Sequence, residues 1–455
     1  MAEFDLVILG GGSGGYAAAL RGSQLGLSVA LIEEGKLGGT CLHRGCIPTK
    51  ALLHAGEIAE SAKHAAEYGV KAEFISMDML AVNAYKDGVV ARLHKGLQGL
   101  VKSRNVTFIE GHGKLIAKNT VEVNGEKYLG KNVILATGSY PKTLPGLEID
   151  GTTIITSEQA INLDRVPKSV IVLGGGVIGC EFASVWKSFG AEVTIIEGLP
   201  HLIALEDESS SKQLERAFRK RGINFELGIK FKSAKKNKDS VEVTLEDGKT
   251  FTAEILLVAV GRGPVSTNIG YEEQGIKMDR GYVIVDDKCR TSVAGVWAVG
   301  DLIPTLQLAH VGFAEGILVA EEIAGLNPRP INYNGVPRVT YSEPEVASVG
   351  LTTAQAKAAG HDVVELNYDL AGNGKAQILK TAGSVKLVAA KNGPVLGIHM
   401  VGARVGELIS EAQLIYNWEA QASDVANLIH AHPTLSEAMG EAHLALAGKP
   451  LHAHG

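Results

Sequence analysis

DLVILGGGSGGYAAALRGSQLGLSVALIE, residues 5–33, is the stretch on which the fold turns. The apolar run Leu6 to Leu9 reads as a buried strand. Gly10-x-Gly12-x-x-Gly15 then turns it into an Ala-rich helix, and LSVALIE reads as a second strand ending in Glu33. In a dinucleotide-binding βαβ unit each position has a mechanical reason. Gly10 makes the tight turn, Gly12 lets a pyrophosphate approach the backbone, Gly15 lets helix pack on strand, and Glu33 accepts from a ribose hydroxyl. The pyrophosphate charge belongs at the helix N-terminus.

The unit recurs at residues 169–198, SVIVLGGGVIGCEFASVWKSFGAEVTIIEG, with Gly174, Gly176 and Gly179 and a strand ending in Glu197. The two fingerprints lie 164 residues apart (Gly10 to Gly174), and each brings its own strands and helix, so one chain is expected to bind two dinucleotides. A carboxylate at the end of the second strand favours a free 2′-hydroxyl and repels a 2′-phosphate. With Glu at both, neither site is built for NADP.

Just after the first unit, GGTCLHRGCIPTK (38–50) holds two of the four cysteines, Cys41 and Cys46. On an ideal helix, positions i and i+5 have Cα atoms roughly 8.7 Å apart, beyond the ~7 Å reach of a relaxed disulfide. A bond between them needs an irregular turn, which Gly45 and Pro48 could supply, and such a bond would be strained and easily reduced. Two other readings stand beside it. Cys41, His43 and Cys46 could ligate zinc, although no second Cys or His cluster at zinc-like spacing completes the set. Two inert buried thiols are the plain alternative.

A length of 455 residues suggests two to four domains. The net charge of −6, from 44 basic and 50 acidic residues, comes without a basic block to suggest nucleic acid or an acidic tail to suggest disorder. MAEFDLVILGGG lacks the charged region and cleavage site of a signal peptide, and no apolar segment is long enough to span a bilayer. Four irregularly spaced cysteines make no secreted framework, so the expected location is the cytoplasm, where a disulfide is catalytic rather than structural. KNVILATGSYPKTLPG (131–146) and AEILLVAVGRGP (253–264) are apolar strands ending in Gly and Pro linkers between domains. In TSVAGVWAVGDLI (291–303), Asp301 either accepts from polyol hydroxyls or caps the following helix.

Taken in order, GGGSGG, GGTCLHRGCIPTK, ATGS, GGGVIGCEFAS, VGRGP, VWAVGD, QLAHVGFAEG and HAHPTLSE resemble the pyridine nucleotide-disulfide oxidoreductases along nearly the whole chain, and within them the dihydrolipoyl dehydrogenase branch. The resemblance implies an α/β protein with two Rossmann-like domains, for FAD and NAD, and a C-terminal α+β dimerisation domain. The implied division is 1–145 (FAD domain, first part), 146–265 (NAD domain), 266–333 (FAD domain, second part) and 334–455 (dimerisation domain). It implies one tightly bound FAD per chain on the first fingerprint, NAD on the second, and a redox-active Cys41–Cys46 disulfide between flavin and substrate. The implied partners are a second copy of the chain and the lipoyl-bearing acyltransferases of 2-oxo acid dehydrogenase complexes, with the glycine cleavage protein as a further candidate.

By the same resemblance Cys46 faces the flavin as a charge-transfer thiolate while Cys41 exchanges with the dithiol. Lys50 lies near the flavin N5, paired with Glu181. Gly113, Thr137, Gly138 and Ser139 line the FAD site, Asp301 binds the ribityl chain, and Gln307, Leu308, Ala309 and His310 line the isoalloxazine edge. Gly261 of VGRGP joins the cofactor-binding set. In HAHPTLSE (430–437), His432, held extended by Pro433, is the base that deprotonates the substrate thiol and Glu437 orients it; the resemblance sends it to the partner's disulfide, and His430 is structural. His43-Arg44 stands where Asn-Val is common and Thr49 where Ser is, so Arg44 adds charge beside the sulfurs. Cys180 and Cys289 are buried small residues. No metal is expected, and His443, His452 and His454 read as a solvated tail. Glutathione- or trypanothione-type reductases want basic residues where Glu197 stands. Mercuric reductase and large thioredoxin reductases want C-terminal redox cysteines. A non-catalytic flavoprotein subunit is the alternative from another class, and joint retention of Cys41, Cys46, Lys50, His432 and Glu437 argues against it.

Overall fold

The structure is a computed structural model that describes residues 2–452; His454 lies outside them. Strands β1 (Ala2–Leu9), β2 (Val29–Glu33), β3 (Thr107–Glu110), β4 (Gly113–Ala117), β5 (Thr120–Val123) and β6 (Glu126–Leu135) form one sheet in the order β3-β2-β1-β6-β5-β4. The central strands pair in parallel. Parallel strands are covered on both faces, which is why Leu6–Leu9, Ala30–Ile32 and Val133–Leu135 are unbroken apolar runs, all buried. Between these strands run helices α1 (Ser13–Gln24), α2 (Gly39–His43), α3 (Cys46–Lys63) and α4 (Met79–Ser103).

After β7 (Ser139–Pro141) the chain builds a second sheet from β8 (Ile154–Ile155), β9 (Ser169–Leu173), β10 (Glu192–Glu197), β11 (Ile223–Leu227) and β15 (Ile255–Val258), in the order β11-β10-β9-β15-β8. Its helices are α5 (Ser157–Ala160), α6 (Val177–Phe189) and α7 (Glu208–Lys220); β12 (Phe231–Lys236), β13 (Val241–Leu245) and β14 (Thr250–Ala253) form a small antiparallel sheet beside it. β16 (Arg262–Pro264) returns antiparallel to β7, so the two crossings between the sheets run side by side. A β17 (Met278–Asp279) and β18 (Tyr282–Val283) hairpin follows, and β19 (Val296–Ala298) then rejoins the first sheet on β6.

Helix α8 (Ala309–Ile323) packs on α1 at glycine-to-backbone distance: a Cβ on Gly316 would lie 2.2 Å from the Gly14 carbonyl oxygen. The remaining chain is an antiparallel sheet of β20 (Arg338–Thr340), β21 (Glu345–Gly350), β22 (Val363–Asp369), β23 (Ser384–Ala390) and β24 (Val395–Gly402), with α9 (Thr353–Ala358), α10 (Gly374–Leu379), α11 (Val405–Asn417), α12 (Ala422–Val425) and α13 (Glu437–Leu446).

Asp207 ties this last sheet to the second one. It is 3% exposed, its Oδ1 accepts from the Ser209 N–H at the start of α7 and from Lys386 Nζ (2.9 Å), and its Oδ2 accepts from the Thr353 N–H at the start of α9 (3.2 Å). Burial opposes its ionisation, but the Ser209 hydroxyl and the Lys386 ammonium outweigh it and hold the carboxyl well below the usual range. Asp207→Ala strips a helix cap and leaves Lys386 with Glu365 alone (2.9 Å), so a loss of about 2 kcal/mol is expected, read as a lower Tm. Because the folded pKa is depressed, this contribution is present above the unfolded value of about 3.9 and is lost as pH falls through the folded value. The Tm gap between wild type and variant should therefore narrow in acid.

Candidate functional site: two nucleotide loops and a dithiol

The glycines divide by what surrounds them. Gly10 has φ +110°, and a Cβ there would lie 2.2 Å from the Ala136 carbonyl oxygen; one on Gly15 would lie 1.8 Å from the Gly10 oxygen. A Cβ on Gly12 would meet nothing closer than Gly39 Cα at 3.9 Å. The second loop repeats the pattern: Gly174 against the Ala259 oxygen (2.4 Å), Gly179 against the Gly174 oxygen (1.9 Å), and open space at Gly176. Neither α1 nor α6 carries a side-chain cap, so their first N–H groups face that open space. Bare backbone at a helix N-terminus fits a pyrophosphate. The residues present therefore fit both dinucleotides.

Glu33 and Glu197 do more than the sequence suggests. Glu33 Oε2 accepts from the Gly11 N–H (2.6 Å) and Oε1 from the Gly35 N–H (2.8 Å). Glu197 does the same with Gly175 (2.6 Å) and Leu199 (2.8 Å). Each acid fastens its own glycine loop, and a carboxylate with about four lone-pair sites keeps capacity for ribose hydroxyls.

The cysteines sit on two helices rather than one. α2 ends at His43, the backbone breaks at Arg44 and Gly45 (φ −140°, ψ −106°), and Cys46 is the first residue of α3. The break is the irregular turn that the spacing demanded. Pro48 is not part of it; it falls in the first turn of α3, where a missing N–H costs nothing. Gly39 packs α2 onto the first glycine loop, since a Cβ there would lie 2.6 Å from Gly12 Cα. Both cysteines are half-buried. The Cys41 thiol, hydrogen-bonded to the Cys46 sulfur, and then the Lys50 ammonium hold Cys46 well below the usual thiol range against the cost of burial, while Cys41 is pushed up. The pair is thus biased toward negative charge on Cys46, at the N-terminus of an 18-residue helix.

One turn further along α3, Lys50 Nζ lies 2.9 and 2.8 Å from the two oxygens of Glu181, which α6 presents 3% exposed. Burial works against the ammonium, but the Glu181 charge outweighs it and raises its pKa. A third partner went unseen in the sequence: the Tyr341 N–H donates to Glu181 Oε1 (3.0 Å), and Lys50 Nζ lies 4.7 Å from the Tyr341 ring centroid.

Asp301 sits in the single turn Gly300–Leu302 and does not cap α8, whose N-cap position is Leu308; the capping alternative is therefore incorrect. Its carboxylate accepts from Ser139 Oγ (2.5 Å), and Arg262 donates to Ser139 Oγ and to its carbonyl, both at 2.7 Å. Arg262 lies inside VGRGP, beside Gly261 (φ +106°), and nothing in its local sequence singles it out. Thr137 Oγ1 donates to the Val265 carbonyl (2.6 Å), and Gly138 follows it with φ +72°. Gly113 is accounted for by packing, because a Cβ would lie 2.5 Å from Leu9 Cδ1. Gln307, Leu308, Ala309 and His310 lead into α8 beside the N-terminus of α1, with His310 Nε2 2.9 Å from the Pro337 carbonyl oxygen. Beneath them, buried Glu315 accepts from the Gly300 N–H (2.6 Å), Thr305 Oγ1 (2.8 Å) and the Tyr333 hydroxyl (2.9 Å), and burial raises it to about 7. An acid on the buried face of an apolar helix was the only sequence signal for it.

His432 Nδ1 lies 2.8 Å from Glu437 Oε1, and Glu437 Oε2 accepts from the Thr434 N–H (2.7 Å). With Nδ1–H donated to the carboxylate, Nε2 keeps a lone pair and can accept a proton. The His432 side chain is 77% exposed. α13 packs on α12, β22 and β23, whereas α2 and α3 pack on each other, α4 and α6. His430 is held by Glu411 (2.7 Å) as a structural residue. His443 is not part of a solvated tail: it is wholly buried in α13, bonded to the Met439 carbonyl (2.7 Å), and burial pulls it down to about 4. His452 pairs with Glu441. Arg44 shares its charge with Glu158 at 3.7 Å, and Cys180 and Cys289 are buried. Among the described residues no cluster of three metal-ligating side chains occurs, and no helix is long and apolar enough to cross a membrane.

Two dinucleotide folds and one cysteine pair, on a helix packed against the second fold, define a disulfide oxidoreductase that couples a flavin to a pyridine nucleotide. The chain belongs to the pyridine nucleotide-disulphide oxidoreductases: residues 4–316 match that family and residues 336–443 its dimerisation domain. It is 43% identical to the dihydrolipoyl dehydrogenase of Bacillus subtilis, over 99% of both chains, and 40% identical to that of Geobacillus stearothermophilus, over 99% of this chain and 97% of that one. It is also 39% identical to the leghemoglobin reductase of Vigna unguiculata, over 99% and 89%. Among solved structures, LpdA of Mycobacterium tuberculosis superposes with a TM-score of 0.91 at 27% identity, covering 98% of this chain and all of that one. The chain is thus an NAD-dependent oxidoreductase that uses FAD and forms a homodimer through its C-terminal domain.

Proposed function

We propose that the chain oxidises protein-bound dihydrolipoyl groups to the lipoyl disulfide, serving 2-oxo acid dehydrogenase complexes or glycine cleavage in the cytoplasm. The observation that carries this reading is the placement of the two cysteines, Cys41 on α2 and Cys46 at the start of α3 across the Gly45 break, with the Lys50–Glu181 pair one turn beyond Cys46. The proposed domain division is that implied above: FAD domain 1–145 and 266–333, NAD domain 146–265, dimerisation domain 334–455.

In this reading FAD lies along Gly10, Gly12, Gly15, Glu33, Ser139 and Asp301, and NAD along Gly174, Gly176, Gly179 and Glu197. His432 Nε2 takes the proton of one substrate thiol, and Glu437 stabilises the resulting imidazolium. The substrate thiolate attacks Cys41 Sγ; the Cys41–Cys46 bond breaks and Cys46 leaves as a thiolate beside Lys50. The second substrate sulfur, deprotonated in turn, closes the lipoyl disulfide and expels Cys41, which keeps one proton while the other is released through His432. When bound, FAD supplies the transfer of the electron pair from Cys46 to NAD+ as hydride.

The test is steady-state oxidation of dihydrolipoamide with each nicotinamide cofactor. A 2′-phosphate at Glu197 would face a carboxylate already anchored by two backbone N–H groups. Like charges opposed in an interface cost several kcal/mol, so kcat/KM with NADP+ should fall at least about 100-fold below that with NAD+. Absence of dihydrolipoamide oxidation with NAD+ refutes the substrate, and equal use of the two cofactors refutes the role of Glu197.

A further inference from the structure

We propose that Tyr341 is a positioning residue for the reacting dithiol: its ring and backbone together hold Lys50 against Glu181, and through Lys50 they set the charge on Cys46. The proposal rests on the reading above that Cys46 is the flavin-facing sulfur.

Three parts of the chain meet at this point: Lys50 on α3, Glu181 on α6, and Tyr341 in the loop between β20 and β21. Tyr341 touches both halves of the ion pair, with its N–H on the Glu181 carboxylate (3.0 Å) and its ring under the Lys50 ammonium (4.7 Å). An ammonium has three N–H donors, and Glu181 is reached at 2.9 and 2.8 Å. Lys50 carries its charge on a flexible four-carbon stem, so the ring adds a second contact that keeps the ammonium on Glu181. A cation over a tyrosine face within about 6 Å is attracted by the ring quadrupole.

The loop that carries the ring is held. Next along the loop, the Glu343 N–H donates to Ser184 Oγ on α6 (3.0 Å), and Arg221 donates to the Glu343 carbonyl (2.9 Å). The groups that set the charge state of Cys46 are Cys41 on α2, Lys50 on its own helix and Glu181 on α6, with Tyr16 on α1 and Arg262 on β16 also within electrostatic reach. Of these, Lys50 alone has a partner that chemistry at position 341 can alter without touching a sulfur or a carboxylate.

The experiment uses FAD-loaded enzyme, reduced anaerobically by two electrons, and follows the long-wavelength thiolate absorbance against pH. Tyr341→Phe keeps the ring and should keep the wild-type midpoint. Tyr341→Leu should raise it by roughly half to one pH unit, the scale of one cation–π contact. A series of phenylalanines with progressively more ring fluorine at position 341 keeps the shape while weakening the negative face, and the midpoint should climb along it. A purely structural ring would give a flat series. That flat series, or an unmoved midpoint in Tyr341→Leu, overturns the proposal; if Tyr341→Leu fails to retain FAD, the fluorine series decides. A wild-type enzyme with no thiolate band at any pH overturns the assignment of Cys46, and this proposal with it.

Discussion

Cys41→Ser is expected to abolish dihydrolipoyl turnover, by at least about 10³-fold as for loss of a nucleophile, and yet to leave long-wavelength absorbance in the FAD-loaded protein. Cys46→Ser should lose turnover equally and show no such band. The contrast follows from the helix break. Cys46 begins α3, with Lys50 one turn away and the helix N-terminus beneath it, and these survive removal of Cys41. A serine at 41 can still donate a hydrogen bond to the Cys46 sulfur, so the lone thiolate should persist near neutral pH. In Cys46→Ser the push of the Cys46 sulfur on Cys41 is gone, but burial still raises the remaining thiol, and in the reading above that sulfur faces the substrate rather than the flavin. Spectra taken across pH on both variants check this, and the reverse pattern would exchange the two assignments.

Chains carrying Cys46→Ser and chains carrying His432→Ala, each inactive alone, should recover roughly a quarter of wild-type sites when co-expressed and assembled at random, as closed two-fold symmetry requires when half the dimers are mixed. One site of a mixed dimer collects both lesions and the other collects neither. The structure gives the geometric motive: His432 is largely exposed within its own chain, near a fully exposed Ile429 and an exposed Leu428, in the loop just before α13, a helix that packs on α12, β22 and β23 rather than on α2 and α3. The check is kcat per FAD in the mixed population against the two separate variants. A mixture no more active than they are would mean that His432 serves its own chain.

The parts of the site legible in the sequence are those whose physics is local along the chain. Gly10 and Gly15 must be glycine because backbone oxygens lie about where their Cβ atoms would stand, a constraint that a strand-turn-helix unit of some thirty residues imposes by itself. The same holds for the break at Gly45 and for Glu437, which is five residues from the histidine it orients. Of the two readings of Asp301, polyol acceptor or helix cap, the cap is wrong, because α8 begins only at Ala309 and the carboxylate turns instead to Ser139, 162 residues earlier. His443 was misread for a similar reason: the chain end looked polar, but α13 buries that face against β22 and β23.

By itself the sequence determined two dinucleotide loops, a dithiol held off a regular helix, and a histidine paired with an acid, since each depends on backbone sterics or contacts within a few residues. Only the tertiary structure decided the charge on the sulfurs. Cys46 and Lys50 are neighbours in sequence, but Glu181 joins them across 131 residues and Tyr341 joins Glu181 across another 160. Electrostatics acts through space and strengthens as water is excluded, so which groups share one low-dielectric pocket is fixed by how three sheets pack against one another, and no spacing along the chain encodes it.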